Sequence, residues 1–240
     1  MYKRQIFVSD WLKEIYINSG FSSQNSTVIM SGSNHKIFNN TGRSVWNKDE
    51  PLKIVTHHWG DNLNKGFDIY SLLDANIKEK FKGLIQFTFI GNVNKNAELK
   101  STNVVDPKYG LELADLIKKN HIYLTASINE PSGNHHIEGA QCGLPVLYRN
   151  SGGIPEFTKG FGVGFDGKED FFEKLMELQN NYKMYFEKMN EYPFNSDLMS
   201  HEYLEIFKKL INSNSDFKIK KQKKEKFDFG MIFYLSLIHI

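Results

Sequence analysis

The sequence predicts an α/β fold, a parallel sheet carrying helices on both faces. Two observations support this. Short apolar runs alternate with amphipathic stretches of roughly 10 to 15 residues, the pattern of repeated βα units. IQFTFIGN reads as a strand of the buried type, as expected where helices cover both faces of a sheet.

The elements follow in order. QIFVSD reads as a short strand, and WLKEIYIN as a helix stopped by Gly20. STVIMSG is a second strand. NHKIFNNTGRSVWNKDEP is polar and irregular and reads as a linker. A second series then begins with the strand LKIVTHHW. After a turn rich in Gly and Asn, GFDIYSLLDANIKEKFKG is a helix with one apolar face. IQFTFIGN is a buried strand, and a loop leads to the helix GLELADLIKKN and the strand HIYLTASI. EPSGNHHIEGAQCGLPV supplies the next helix and PVLYRNSGG the strand after it. EDFFEKLMELQNNYKMYFEKMNEY and SHEYLEIFKKLINSN are terminal helices.

The expected divisions are 1–33, the end of a domain whose beginning is missing; 34–51, a linker; 52–212, the main α/β domain; and 213–240, a basic tail. The final LSLIHI matches the translation of an adapter used in sequencing libraries, so MIFYLSLIHI is expected to carry no function.

Charge and cysteine content exclude several classes. Thirty Lys and Arg against 28 Asp and Glu leave a net charge of +2, so no nucleic-acid partner is expected. KIKKQKKEK in the tail could make a weak peripheral contact with an anionic membrane; the alternative is a solvated linker. The single cysteine, Cys142, excludes an internal disulfide and a cysteine-based zinc site, and suits a reducing, cytoplasmic setting. No signal-peptide pattern opens the chain, and no run approaches the ~20 apolar residues of a membrane helix.

In an open parallel sheet, ligands bind beyond the C-terminal ends of the strands. Three loops fall there: HHWGDNLNKG, with Trp59 and Lys65; GNVNKN, opened by Gly91 and Asn92; and SINEPSGN, with Glu130. Ser132, Gly133 and Asn134 stand where a helix begins, and free N–H groups with the helix dipole favour an anion there. Glu130 can face a neutral polyol, and Glu138 can accept from a vicinal diol. The alternative is an ordinary N-cap with a first-turn glutamate. Lys65 could reach a diphosphate or be a solvated surface lysine. His135 could donate to a sugar or phosphate.

The pairs His57/His58 and His135/His136 raise the question of a metal. Neighbouring strand residues face opposite sides, and no cluster rich in carboxylate or cysteine completes a site, so neither metal nor cofactor is expected. GVGFDG, residues 162–167, fits G-x-G-x-x-G but lacks the preceding strand of a dinucleotide fingerprint.

Four segments together resemble one family. EPSGNHHIE looks like the E-x7-E motif of retaining GT-B glycosyltransferases, family 4. NKGFDIY resembles the Lys-Gly that opens the first helix of that family's donor domain, and NSGGIPEF its Gly-Gly-x-Pro-Glu segment. FVSDWLKE and VIMSGSNHKIF resemble the end of its acceptor domain and the crossover. The similarity runs from residue 1 to about 210.

The resemblance implies a Rossmann-like GT-B C-terminal domain preceded by a remnant of the N-terminal one. It also implies sugar transfer from a nucleotide-sugar donor to a glycan or lipid-linked acceptor, with retention and without metal. By position, Glu138 would bind the donor ribose, Glu130 the donor sugar, and Lys65 with the amides of Ser132–Asn134 the diphosphate. Trp59 stands where many members carry an arginine. Most of the acceptor half is missing, so the chain alone is expected to be inactive. A degenerate, non-catalytic nucleotide-binding domain is the rival reading.

Overall fold

The structure, a computed structural model, describes residues 4–213. The basic tail expected from residue 213 falls, from 214 onward, outside the described residues. Two compact units are present, Met1–Tyr203 and Leu204–Ile240; both sheets and every candidate site residue belong to the first. The second is described as far as Ser213 and is helical there.

The chain opens with β1 (Gln5–Phe7), α1 (Asp10–Asn18) and β2 (Ser26–Val28), a parallel two-stranded sheet with its crossover helix. The Ser9 hydroxyl accepts from Leu12 N–H and caps α1. After the polar segment comes the main series: β3 (Leu52–His58), α2 (Phe67–Glu79), β4 (Ile85–Gly91), β5 (Asn103–Val105), α3 (Gly110–Lys118) and β6 (Ile122–Thr125). It continues with α4 (Asn134–Gln141), β7 (Val146–Arg149), α5 (Ile154–Thr158), β8 (Gly162–Phe165), α6 (Phe171–Asn180) and α7 (Tyr182–Lys188). Helix α8 (Ser196–Ser213) closes the described residues.

The main sheet is wholly parallel, in the order β5-β4-β3-β6-β7-β8. Alternation along the strands feeds two cores. Leu52 and Ile54 of β3 pack with Phe87, Leu124 and Phe165 under Tyr70 and Leu73 of α2 and Phe171 and Leu175 of α6. Val55, Tyr123 and Val146 pack on the opposite face with Ile117 of α3, Ile137 of α4 and Phe157 of α5. Each such large side chain stabilises the fold by about 1.5–3 kcal/mol when fully buried. The expected α/β fold, a parallel sheet between two helical layers, is what forms.

Three elements differ from the sequence reading. The loop before α3 contains β5, a three-residue edge strand with two exposed positions, too short and polar to show periodicity. The stretch IPEFTKGFGVGF forms α5 and β8: Pro155 opens a five-residue helix, and two glycines lower the strand propensity of GVGF. Gly162 and Gly164 thus lie inside a strand, and no strand directly precedes them. The expected single helix from Glu169 is α6 and α7, divided at Asn181.

Glu156 of α5 reaches the N-terminal βαβ unit. Its carboxylate accepts from the backbone N–H groups of Asp10 (2.8 Å) and Trp11 (2.7 Å) at the start of α1.

Buried Asp74 of α2 holds the approach to β5. Its carboxylate accepts from the N–H groups of Lys100 (2.9 Å), Ser101 (2.8 Å) and Thr102 (2.7 Å) and from the Thr102 hydroxyl (2.6 Å). Bonds to a charged acceptor contribute more than neutral ones, and orphaned donors add a desolvation cost. Asp74→Ala is therefore expected to lower unfolding free energy by about 3 kcal/mol, measured by urea denaturation. Among the described residues no helix is long and apolar enough to cross a membrane.

Candidate functional site

The strand order sets the location. From β3 the chain steps outward to β4 and β5, then returns to the other side of β3 with β6 and continues to β8. The loops leaving β3 and β6 diverge at this reversal and leave a crevice at the C-terminal ends of the strands. The candidate residues come from those two loops and from the loop after β4.

The first loop ends in a 3₁₀ turn, Leu63–Lys65, and Gly66. Gly66 has φ +96°, and a Cβ there would lie 2.4 Å from the Ala126 Cβ, so only glycine lets α2 begin against the end of β6. The two loops are tied directly, Ile128 N–H donating to the Asn64 carbonyl at 2.7 Å. Lys65 is thereby held beside Glu130. Its Nζ lies 2.9 Å from Glu130 Oε2, and each side chain is 12% exposed. The loop after β7 fixes Glu130 from behind: Gly153 N–H donates to its carbonyl at 2.9 Å, and Asn129, with φ +54°, donates its N–H to the Ser151 hydroxyl.

Helix α4 begins at Asn134 after Gly133, and no side chain caps its first N–H groups. The Ser132 hydroxyl is buried without a partner. A Cβ at Gly133 would lie 2.4 Å from His135 Cε1, so the loop runs directly over the His135 ring. That ring is 8% exposed, and its Nε2 is bonded to the Thr125 hydroxyl at 2.8 Å. His135 therefore supports the loop from beneath. Glu138, on the second turn, has Oε2 2.9 Å from Nε2 of His57 at the end of β3.

The other wall follows β4. Gly91 pairs with His58, and Asn92 donates its N–H to the His58 carbonyl (3.2 Å) and its Nδ2 to the Trp59 carbonyl (2.7 Å). The Trp59 indole, 42% exposed, stacks on Tyr109 with centroids 3.8 Å apart and planes 14° from parallel. Trp59 thus forms an aromatic wall where the family resemblance placed a cation. Arg149 at the end of β7 is engaged by Asp68 (3.0 Å).

The structure gathers Glu130, Lys65, Ser132, Gly133, Asn134 and Glu138 around the β3–β6 reversal, with Trp59, Gly91 and Asn92 on the β4 side, whereas His135, expected to donate to a ligand, is buried beneath the loop with Nε2 on Thr125. Sequence reasoning missed His57 as the partner of Glu138, and also missed Tyr123 and Tyr109. Alternation in β3 sends His57 and His58 to opposite faces, but only strand order shows which element each one meets.

The imidazoles form a buried cluster. His58 and His135 lie 4.5 Å apart and His135 and His136 5.0 Å, between ring centroids. His58 Nε2 meets the Tyr70 hydroxyl at 2.7 Å. His136 is fully buried, edge-on to Phe157, with neither ring nitrogen partnered. Burial pushes the pKa of His58 and His135 well below the usual histidine value, and that of His136 down to about 3; neighbouring histidines add to the shift. Among the described residues no group of three or more His, Cys, Asp or Glu is placed to hold a metal.

Comparison with solved structures identifies the fold. A glycosyltransferase from Rickettsia africae ESF-5 matches with TM-score 0.67 at 15% identity, over 87% of this chain and 64% of that one. Sucrose-phosphate synthase from Thermosynechococcus elongatus matches with TM-score 0.64 at 18% identity, over 87% of this chain and 58% of that one. The catalytic domain of starch synthase IV from Arabidopsis thaliana, bound to ADP and acarbose, matches with TM-score 0.64 at 15% identity, over 86% and 55%. These neighbours are GT-B glycosyltransferases, and the likeness shows that this chain has their Rossmann-like α/β fold. The chain spans between 55% and 64% of their lengths. No protein-family model and no curated protein sequence matches it.

The histidine cluster predicts a pH dependence. Near pH 6.5 and below, the unfolded chain takes up protons that buried His58, His135 and His136 refuse, so stability falls with falling pH. For His136 the loss continues toward its folded value of about 3. Thermal unfolding should show Tm dropping steadily from pH 7 to pH 5. His136→Leu should lessen the drop without losing stability at pH 7, because it removes two unpartnered buried nitrogens. A Tm constant over that range would contradict the assignment.

Proposed function

We propose that this chain is the donor-binding domain of a retaining, metal-independent glycosyltransferase of family 4. It would act on a nucleoside-diphosphate sugar and transfer the sugar to a glycan or lipid-linked acceptor. The observation that carries the reading is the convergence of Lys65, Glu130, Glu138 and the uncapped start of α4 on the β3–β6 crevice. The ADP in the starch synthase IV structure supports a nucleoside diphosphate as ligand.

The chemistry divides along the crevice. Lys65 and the free N–H groups at the α4 start offer cationic and dipolar stabilisation to a diphosphate, the leaving group of such a transfer. Glu138 offers carboxylate oxygen to the ribose hydroxyls. Glu130 would contact the donor sugar. Its pairing with Lys65 means that a diphosphate must compete for the lysine, and the released carboxylate can then accept from the sugar. No metal is needed in this scheme, because Lys65 and the helix start supply the positive potential. The rest of a GT-B enzyme would supply the acceptor site.

A second reading, a nucleotide-binding domain without catalysis, is favoured by one observation: Trp59 stacks on Tyr109 where the resemblance expects an arginine, leaving one fewer cation on the phosphate.

Calorimetric titration with UDP, GDP and ADP tests the binding. One of the three is expected to bind, with Glu138→Gln weakening it about tenfold and Lys65→Gln about tenfold or more, on the scale of a lost charge-assisted hydrogen bond. Binding of none by folded protein would defeat the reading. The Lys65–Glu130 competition predicts that Glu130→Gln binds inorganic pyrophosphate more tightly than wild type, by a few-fold in the same titration. Slow hydrolysis of a nucleotide sugar by the whole enzyme would separate the catalytic reading from the non-catalytic one.

A further inference from the structure

We propose that His57 is the positioning residue for Glu138, and that Tyr123 fixes the imidazole tautomer in which it acts. The inference rests on the reading of Glu138 as a ribose ligand.

Tyr123, His57 and Glu138 form a chain of hydrogen bonds. The Tyr123 hydroxyl lies 3.3 Å from the backbone nitrogen of His57 and 3.0 Å from its Nδ1. Against the backbone N–H the phenol oxygen accepts and keeps its own hydrogen to offer Nδ1, whereas the Glu138 carboxylate can only accept and so takes a hydrogen from Nε2. Nδ1 is then the lone-pair nitrogen, and the ring hydrogen sits on Nε2. Nε2 lies 2.9 Å from Glu138 Oε2, so His57 donates to the carboxylate from that nitrogen. Burial holds the Tyr123 phenol well above its usual pKa, so it keeps the hydrogen this arrangement requires.

The packing makes the chain of bonds rigid. The Tyr123 ring is fully buried beneath α4, against Gly139, the neighbour of Glu138. A Cβ at Gly139 would lie 2.2 Å from that ring, so no larger residue fits there without displacing it. The His57 side chain is 3% exposed, whereas Glu138 is 20% exposed and open on one side. Oε2 is thus committed to His57, and Oε1 is left to accept from a ligand. A carboxylate clamped at one oxygen presents the other in a fixed direction, which suits two neighbouring hydroxyls better than a freely rotating group does.

Nitrogen-15 NMR of the imidazoles reads the tautomer, and titration reads its consequence. The titrations use whichever of UDP, GDP and ADP wild type binds, its 2′-deoxy counterpart, and inorganic pyrophosphate. His57 is expected in the Nε2–H form, with Tyr123→Phe raising the Nδ1–H population. His57→Leu should weaken the ribonucleotide about tenfold and erase its advantage over the 2′-deoxy form, while pyrophosphate affinity stays unchanged. His57→Gln, which keeps a donor near the Nε2 position, should restore most of both losses. A merely structural role would lower Tm without moving the ribose preference. An Nδ1–H tautomer in wild type, or an undiminished ribose preference in His57→Leu, would overturn the proposal. If wild type binds pyrophosphate but none of the three nucleotides, the functional reading falls first and the role of His57 with it.

Discussion

The ion pair between Lys65 and Glu130 spans the point where the strand order reverses. One partner follows β3 and the other follows β6, so the 2.9 Å contact closes across the crevice that parallel topology opens. Much else serves to bring these two groups together. Gly66 lets α2 start against Ala126, the Asn64 carbonyl ties the two loops, and the β7–α5 turn braces Glu130 from behind. With both side chains largely withdrawn from water, the pair gives up hydration for mutual attraction, a balance that contributes little net stability. Such a contact is better suited to exchange: a diphosphate bringing two or more charges can take the lysine over at modest cost.

The second carboxylate is treated differently. Glu138 meets an imidazole that Tyr123 contacts from the other side, and its second carboxylate oxygen is not part of that contact. One glutamate is therefore screened by a cation it can surrender, and the other is oriented by a donor it retains. Seven residues and a helix start separate the two carboxylates along the chain.

Much of this was legible in the sequence. The apolar positions in IQFTFIG and HIYLT marked strands of the parallel sheet, and the Gly-Asn loops after them lie at its C-terminal ends. Glu130, Lys65 and Glu138 stood out as candidates from residue type, position and the family resemblance. What stayed hidden depends on strand order or on weak local signals. His57 and His58 were seen to face opposite ways, but the approach of Glu138 to one of them is fixed only by β6 sitting beside β3. β5 forms by pairing with β4, and the segment leading into it is held by Asp74, some 26 to 28 residues away along the chain, rather than by its own propensity. In β8, two glycines hide a strand that forms because β7 offers it a partner. Trp59 was read as a missing cation, and its stacking partner Tyr109 comes from a segment with no sequence pattern linking the two.

The most direct measurement is a crystal structure of the protein with the nucleoside diphosphate that binds it. Lys65 Nζ is expected to have moved from Glu130 onto a phosphate oxygen, with the diphosphate against the start of α4, the ribose hydroxyls on Glu138, and His57 still bonded to Oε2. A nucleotide bound away from the β3–β6 crevice, with the Lys65–Glu130 pair intact, would contradict that placement.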